Sequence, residues 1–166
     1  MKDARYWIDR LALVGHPEGV YYRETYRSQE SLAREHLPER FSGDRALSTA
    51  SYFLLTGDEF SAFHRIKQDE VWHFYEGSTL TIHVIDPEGE YSTITMGRGV
   101  ERGETLQATV RAGNLFGASV DDPEVYALVG CTVAPGFDLD DLEIPSREEL
   151  LARYPQHRRI IEKLTR

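Results

Sequence analysis

From residue 20 to residue 133 the chain is a succession of short runs in which apolar and polar side chains alternate. VYYRETYR comes first, followed by LSTASYFLLT, EFSAFHRIK, EVWHFYE, TLTIHVI, YSTITMG, TLQATVR, LFGASV and VYALVGCTV. A strand with one buried face requires such alternation, because successive side chains point to opposite sides of the pleat. The breaks between the later runs are TGD, KQD, GS, DPEG, GRG, RAGN and DDPE, which supply the backbone freedom and local bonds of tight turns. Many short strands with no helix between them predict an all-β fold, an antiparallel sandwich or barrel. In the first run Val20, Tyr22, Glu24 and Tyr26 fall on one side, and Tyr21, Arg23, Thr25 and Arg27 on the other. The polar stretch from Ser28 to Arg45 reads as a loop long enough to cover something.

The rhythm differs at both ends. Ala4 to Val14 sets Trp7, Leu11 and Val14 at helical spacing, and GHPEG stops that helix. Near the other end Ser146, with Glu149 three residues on, forms a capping box that opens PSREELLARYP, and a second helical run, PQHRRIIEKLT, follows. With no repeat, linker or low-complexity segment, the expectation is one domain over residues 1–166. Its barrel runs over about 18–144 and its helical tail over 145–166.

Composition narrows the functions open to such a domain. The 40% hydrophobic content suits a packed core, and the net charge of -9 argues against nucleic acid and anionic membrane surfaces, which bind clustered Lys and Arg. The single cysteine, Cys131, has no partner for an internal disulfide, which points to a reducing compartment. MKDARYWIDRLAL lacks the apolar core of a signal peptide, and no window approaches the roughly 20 apolar residues of a membrane span. A soluble, cytoplasmic protein is expected.

One stretch carries chemistry that a core strand does not need. In FHRIKQDEVWHFYEG, Ala62, His64 and Ile66 share one face, and after the turn Glu70, Trp72, Phe74 and Glu76 share another. If Glu70 points inward, Trp72 and Phe74 line the same interior, and His64 and Glu70 become polar groups in an aromatic cup. Burial penalises the charged form of each and mutual pairing favours it, the setting in which a histidine serves as a base.

The same stretch resembles a known family. Gly57, His64, Glu70 and Gly77 fall on the first cupin motif, G-x(5,6)-H-x-H-x(3,4)-E-x6-G, with Ile66 at its second histidine position. HPEGVYYRETYRS, TASYFLL, DEVWHFYEG, VRAGNLFGAS and YALVGCTVAPGFDLDDLEI resemble the domain-of-unknown-function 985, or Cupin_5, group. The resemblance implies a double-stranded β-helix jelly roll with short N- and C-terminal helices, usually a homodimer, similar to the dTDP-4-keto-sugar 3,5-epimerases. Cupins take a third metal-binding histidine from a second motif. Here Arg111-Ala112-Gly113 stands in place of Pro-x-Gly, and Phe116 stands near the histidine position. Only His64 and Glu70 remain of the metal ligands, so no metal cofactor is expected. Carried over from the epimerases, His64 is the candidate base, Glu70 its partner, and Tyr126 the acid, with Tyr22 behind it. Phe53, Trp72, Phe74 and Phe116 are the candidate apolar walls of a small-molecule pocket, and Gln107 is its candidate amide.

Blander readings of these residues stand beside the functional ones. The His64–Glu70 pair could be a structural hydrogen bond, His73 and His83 structural, His16 part of a turn, and Cys131 a small buried hydrophobe. Gln107 could face solvent, Arg23 and Arg27 could reach an anionic ligand or lie on a solvated strand face, and DLDDLE could be a charged surface turn. Three functions stay open: a metal-independent epimerase or isomerase of a carbonyl or nucleotide-linked sugar, a non-catalytic binder, and a divergent metalloenzyme. Against a nucleotide sugar, the central strands offer few cations besides Arg65, Lys67 and Arg111, and by parity Arg65 and Lys67 point away from His64.

Overall fold

A computed structural model describes residues 2–16 and 20–166. The alternating runs form strands, and the chain passes back and forth between two sheets as it lays them down. A six-stranded sheet has the order β1 (Val14–Gly15), β2 (Tyr21–Arg27), β5 (Thr49–Thr56), β12 (Tyr126–Ala134), β7 (Asp69–Gly77), β10 (Gln107–Val110). A four-stranded sheet has the order β6 (Phe60–His64), β11 (Leu115–Ser119), β8 (Leu80–Ile85), β9 (Tyr91–Met96), and β3 (Ser31–Leu32) pairs with β4 (Arg45–Ala46). Neighbouring strands run antiparallel. The two large sheets face each other as a jelly roll. No continuous ladder joins them among the described residues, so the expected barrel stays open as a sandwich.

The inward positions of both sheets meet in one core, where Trp72, Phe74, Leu80, Ile82, Phe116 and Val129 pack together. The glycines that bound the histidine–glutamate stretch are needed where strands approach closely. A Cβ at Gly57 would overlap the Asp122 carbonyl, and Gly77, at φ +99, lies against the Tyr126 carbonyl. Both outer faces carry a helix. α1 (Ala4–Arg10) lays Trp7 and Ile8 over Leu54 and Leu128 of the six-stranded sheet. α2 (Arg147–Arg153) and α3 (Arg158–Lys163) cover Phe63, Ile85 and Leu115 of the other sheet with Leu150, Tyr154, Ile161 and Leu164. The capping box is present, with the Ser146 hydroxyl accepting from Glu149 N–H and the Glu149 carboxylate accepting from Ser146 N–H. Beyond α3 the chain returns to β6, where Phe63 N–H donates to the Leu164 carbonyl at 2.9 Å. Among the described residues no helix is long and apolar enough to cross a membrane.

Three expectations about local structure need correction. α1 ends before Leu11, and Val14, 58% exposed, belongs to the short β1 instead. Part of GHPEG lies outside the described residues. The Ser28–Arg45 stretch is not a free loop. It forms β3 and β4 around one 3-10 turn, buries Phe41, and ends in an ion pair between Arg45 and Asp141 with two contacts of 2.7 Å. Burial pushes the Asp141 carboxyl up, but hydrogen bonds from Arg45 and Gln68 outweigh it and hold the group below the usual carboxylate range. That bond ties the stretch to the run DLDDLE, which is therefore partly buried rather than a solvated turn.

Candidate functional site

At one end of the sandwich the two sheets leave a cavity of about 530 Å³ instead of packing shut. Its walls follow strand parity. Thr49, Ser51 and Phe53 of β5, Cys131 and Val133 of β12, and Glu70 of β7 point into it from the six-stranded sheet, and His64 with Ile66 face them from the other side. Residues 137–139 and Leu142 cover it, and Leu139, 67% exposed, stands at its mouth.

His64 and Glu70 are therefore brought to one cavity from opposite sheets. Both are buried, at 3% and 7% exposure. His64 Nδ1 donates to the Ala62 carbonyl at 2.7 Å, which leaves Nε2 as the nitrogen able to take up a proton. The imidazole is backed by the Phe116 ring, with centroids 4.2 Å apart, and Phe116 in turn meets Trp72 edge-on at 6.3 Å. Phe116 and Trp72 thus form a floor behind the histidine, in the packed core, and do not line the cavity. Phe74 lies further along β7 in the same core, because inward positions on one long strand run from cavity to packed interior. Glu76 leaves that face altogether: the register with β12 shifts there, and its carboxylate pairs with Arg98 at 3.0 Å.

Tyr22 and Phe53 do line the cavity. They are cross-strand partners whose rings stack at 5.9 Å, and His16 stands edge-on to Tyr22 at 4.7 Å. Tyr126 does not reach the site. It begins β12, about 23 Å along the strand from Val133 at the usual rise per residue. There its hydroxyl accepts from Trp7 Nε1 at 2.8 Å and donates to the Lys2 carbonyl at 3.1 Å. Gln107 is also outside. It pairs in register with His73 on the outer face of the six-stranded sheet and donates to His73 Nδ1 at 3.1 Å, while His73 Nε2 bonds Thr132 Oγ1 at 3.0 Å.

Several lining residues were not placed in the pocket by the sequence. Arg27, left open there between an anionic ligand and a solvated face, is the sharpest case. Plain alternation puts it opposite Tyr22 and Glu24, but β2 carries a bulge between Glu24 and Tyr26 that switches the parity and turns Arg27 inward. Its guanidinium forks onto the Glu24 carboxylate with two bonds of 2.8 Å and donates to the Phe137 carbonyl at 2.8 Å. The Glu24 hydrogen bond, against the opposing effect of burial, holds its pKa above the ordinary value. His16 and Asp138 also enter the lining. The spacing of Leu139 and Leu142 within the acidic run was the available signal that this turn has an apolar side.

The donor set does not fit the metal that the cupin motif implies. Ile66 puts hydrocarbon, and Phe116 an aromatic ring, at two of the four ligand positions. Among the described residues no three His, Cys, Asp or Glu side chains form a metal-binding group. What the arrangement offers instead is a partly aromatic cavity with one oriented imidazole, a buried carboxylate on the opposite wall, and a phenol in the lining.

Known proteins share this architecture. A protein from Shewanella oneidensis, solved by crystallography, is 42% identical, with a TM-score of 0.89 over 100% of this chain and 99% of its own. A hypothetical protein from Leishmania major is 40% identical, also with a TM-score of 0.89, over 99% of both chains. An uncharacterized protein of Saccharomyces cerevisiae is 30% identical over 144 residues, covering 81% of this chain and 71% of that one. Oxalate decarboxylase of Bacillus subtilis, at 15% identity and a TM-score of 0.54, shares the fold across 90% of this chain and 36% of its own. The Cupin_5 profile, described as Cupin superfamily (DUF985), matches residues 5–145, and the chain belongs to that family.

Proposed function

We propose that the protein binds a small polar molecule in the cavity and moves a proton on it, as an isomerase or epimerase of a carbonyl compound does. The single observation that carries this reading is the hydrogen bond from His64 Nδ1 to the Ala62 carbonyl, at 2.7 Å, on the wall of the cavity. It orients the imidazole and selects Nε2 as the basic nitrogen, which is what a general base needs. His64 Nε2 removes the proton beside the carbonyl. Glu70, facing it, favours the imidazolium that forms, and the Tyr22 hydroxyl is the nearest replacement for Tyr126 as proton donor. The test is exchange of carbon-bound hydrogen in D2O, followed by NMR across a panel of small aldoses and ketoses. Wild-type protein is expected to label the carbon beside the carbonyl of one of them, and His64→Ala to abolish labelling while keeping its fold. Labelling that survives in the variant refutes the assignment.

A second reading, a binder without turnover, is favoured by the position of Tyr126, which removes the expected acid from the chamber. Ligand-induced stabilisation without any hydrogen exchange distinguishes it. Association into a homodimer belongs to either reading. It is supported by Val14 and Tyr26, exposed on the β1–β2 side of the six-stranded sheet, and light scattering at micromolar concentration tests it.

A further inference from the structure

The charge of the cavity lining narrows the class of ligand, and it rests on the binding reading above. We infer that the cavity takes a small organic cation, such as a protonated amine, in preference to a phosphate- or carboxylate-bearing molecule. Among the described lining residues, the carboxylates of Glu24, Glu70 and Asp138 stand against a single guanidinium, that of Arg27. That guanidinium is already engaged. Its Nε and one Nη reach Glu24 at 2.8 Å, the same Nη reaches the Phe137 carbonyl at 2.8 Å, and Asp138 lies close enough to act on its charge.

An incoming anion has to compete with the Glu24 carboxylate and the Phe137 carbonyl for Arg27, and it meets the repulsion of the neighbouring carboxylates. A cation meets the opposite situation. It meets more carboxylates than permanent cations, the lining's other basic groups being the imidazoles of His16 and His64, and the rings of Tyr22 and Phe53, which attract an ammonium group through their π-systems. The cations behind the walls do not change the balance, because Arg45 is held by Asp141 at 2.7 Å and Arg65 lies 3.2 Å from Glu143. The volume of about 530 Å³ lies within the usual range for small-molecule sites. A nucleoside diphosphate sugar fits poorly, since its two phosphates call for several free basic groups.

Three hexoses of matched shape and different charge test this: glucosamine, glucose and glucuronate, titrated by calorimetry near neutral pH. Glucosamine is expected to bind at least about tenfold more tightly than glucose, and glucuronate not to bind. Asp138→Asn keeps the acceptor that caps the turn at Asp140 N–H, 2.9 Å away, yet it removes one charge and is expected to erase most of the glucosamine advantage. The double variant Glu24→Gln/Asp138→Asn leaves Glu70 alone against Arg27 and is expected to bring the affinities for glucosamine and glucuronate together. A wild-type preference for glucuronate, or a spread of affinities unchanged in both variants, overturns the charge assignment and leaves binding in the cavity standing. Failure of all three sugars to bind overturns this inference and the binding reading together.

Discussion

Substitution of His83 by glutamine removes a group that penalises the folded state in acid. His83 lies on β8 beneath the C-terminal helices, 7% exposed, with Nδ1 bonded to the Tyr91 hydroxyl at 2.8 Å and Nε2 to Ser119 Oγ at 3.1 Å. Burial, aided by Lys163 and opposed by Asp121, pushes its pKa down to about 4. The unfolded chain protonates this side chain near pH 6.5, the folded chain only near 4, so between those values the unfolded state binds more protons. Stability is therefore fully present above pH 6.5 and falls as pH drops toward 4. At about 1.4 kcal/mol per pKa unit, the loss from this one residue comes to about 3 kcal/mol. Urea unfolding of wild type and His83→Gln at several pH values between 7 and 4 measures it. Carboxylates titrate in both proteins and cancel in the difference, which is expected to shift by about 3 kcal/mol in favour of the variant on acidification. A difference that stays constant across the range, or an NMR titration placing His83 near 6.5, refutes the reasoning.

Two further substitutions probe the site's surroundings. Asp141→Ala leaves the buried Arg45 guanidinium without its carboxylate and is expected to cost about 3–5 kcal/mol in denaturant unfolding, with the cavity cover loosened as well. Tyr126→Phe deprives Trp7 Nε1 of its acceptor and is expected to cost about 1 kcal/mol, yet to leave ligand affinity in the cavity unchanged by calorimetry.

How far the sequence could be read depended on whether a feature is local. Alternation located β5 to β12, because each strand buries one face and breaks at recognisable turns. The Ser146–Glu149 cap was legible for the same reason. His64 and Glu70 could be assigned to one interior because the cupin resemblance points the glutamate inward, and parity then supplied their neighbours. Arg27 could not, since a bulge between Glu24 and Tyr26 reverses parity with no compositional mark. Parity also says nothing of position along a strand. It therefore grouped Trp72 and Phe74 with Glu70, although only Glu70 reaches the open end, and it left Tyr126 free to be imagined at a site it faces from far away. The cover formed by Asp138 to Leu142 depends on Asp141 meeting Arg45, 96 residues earlier, a pairing that no short window contains.

The bond between Phe63 N–H and the Leu164 carbonyl has a practical consequence. β6 is the outermost strand of its sheet, and the returning tail occupies a donor that would otherwise solicit a strand from another molecule. Shortening the protein ahead of Leu164 would strip off that shield and uncover Phe63 and Leu115 beside it, so such a truncation invites intermolecular β-pairing and precipitation even where the cavity itself is untouched.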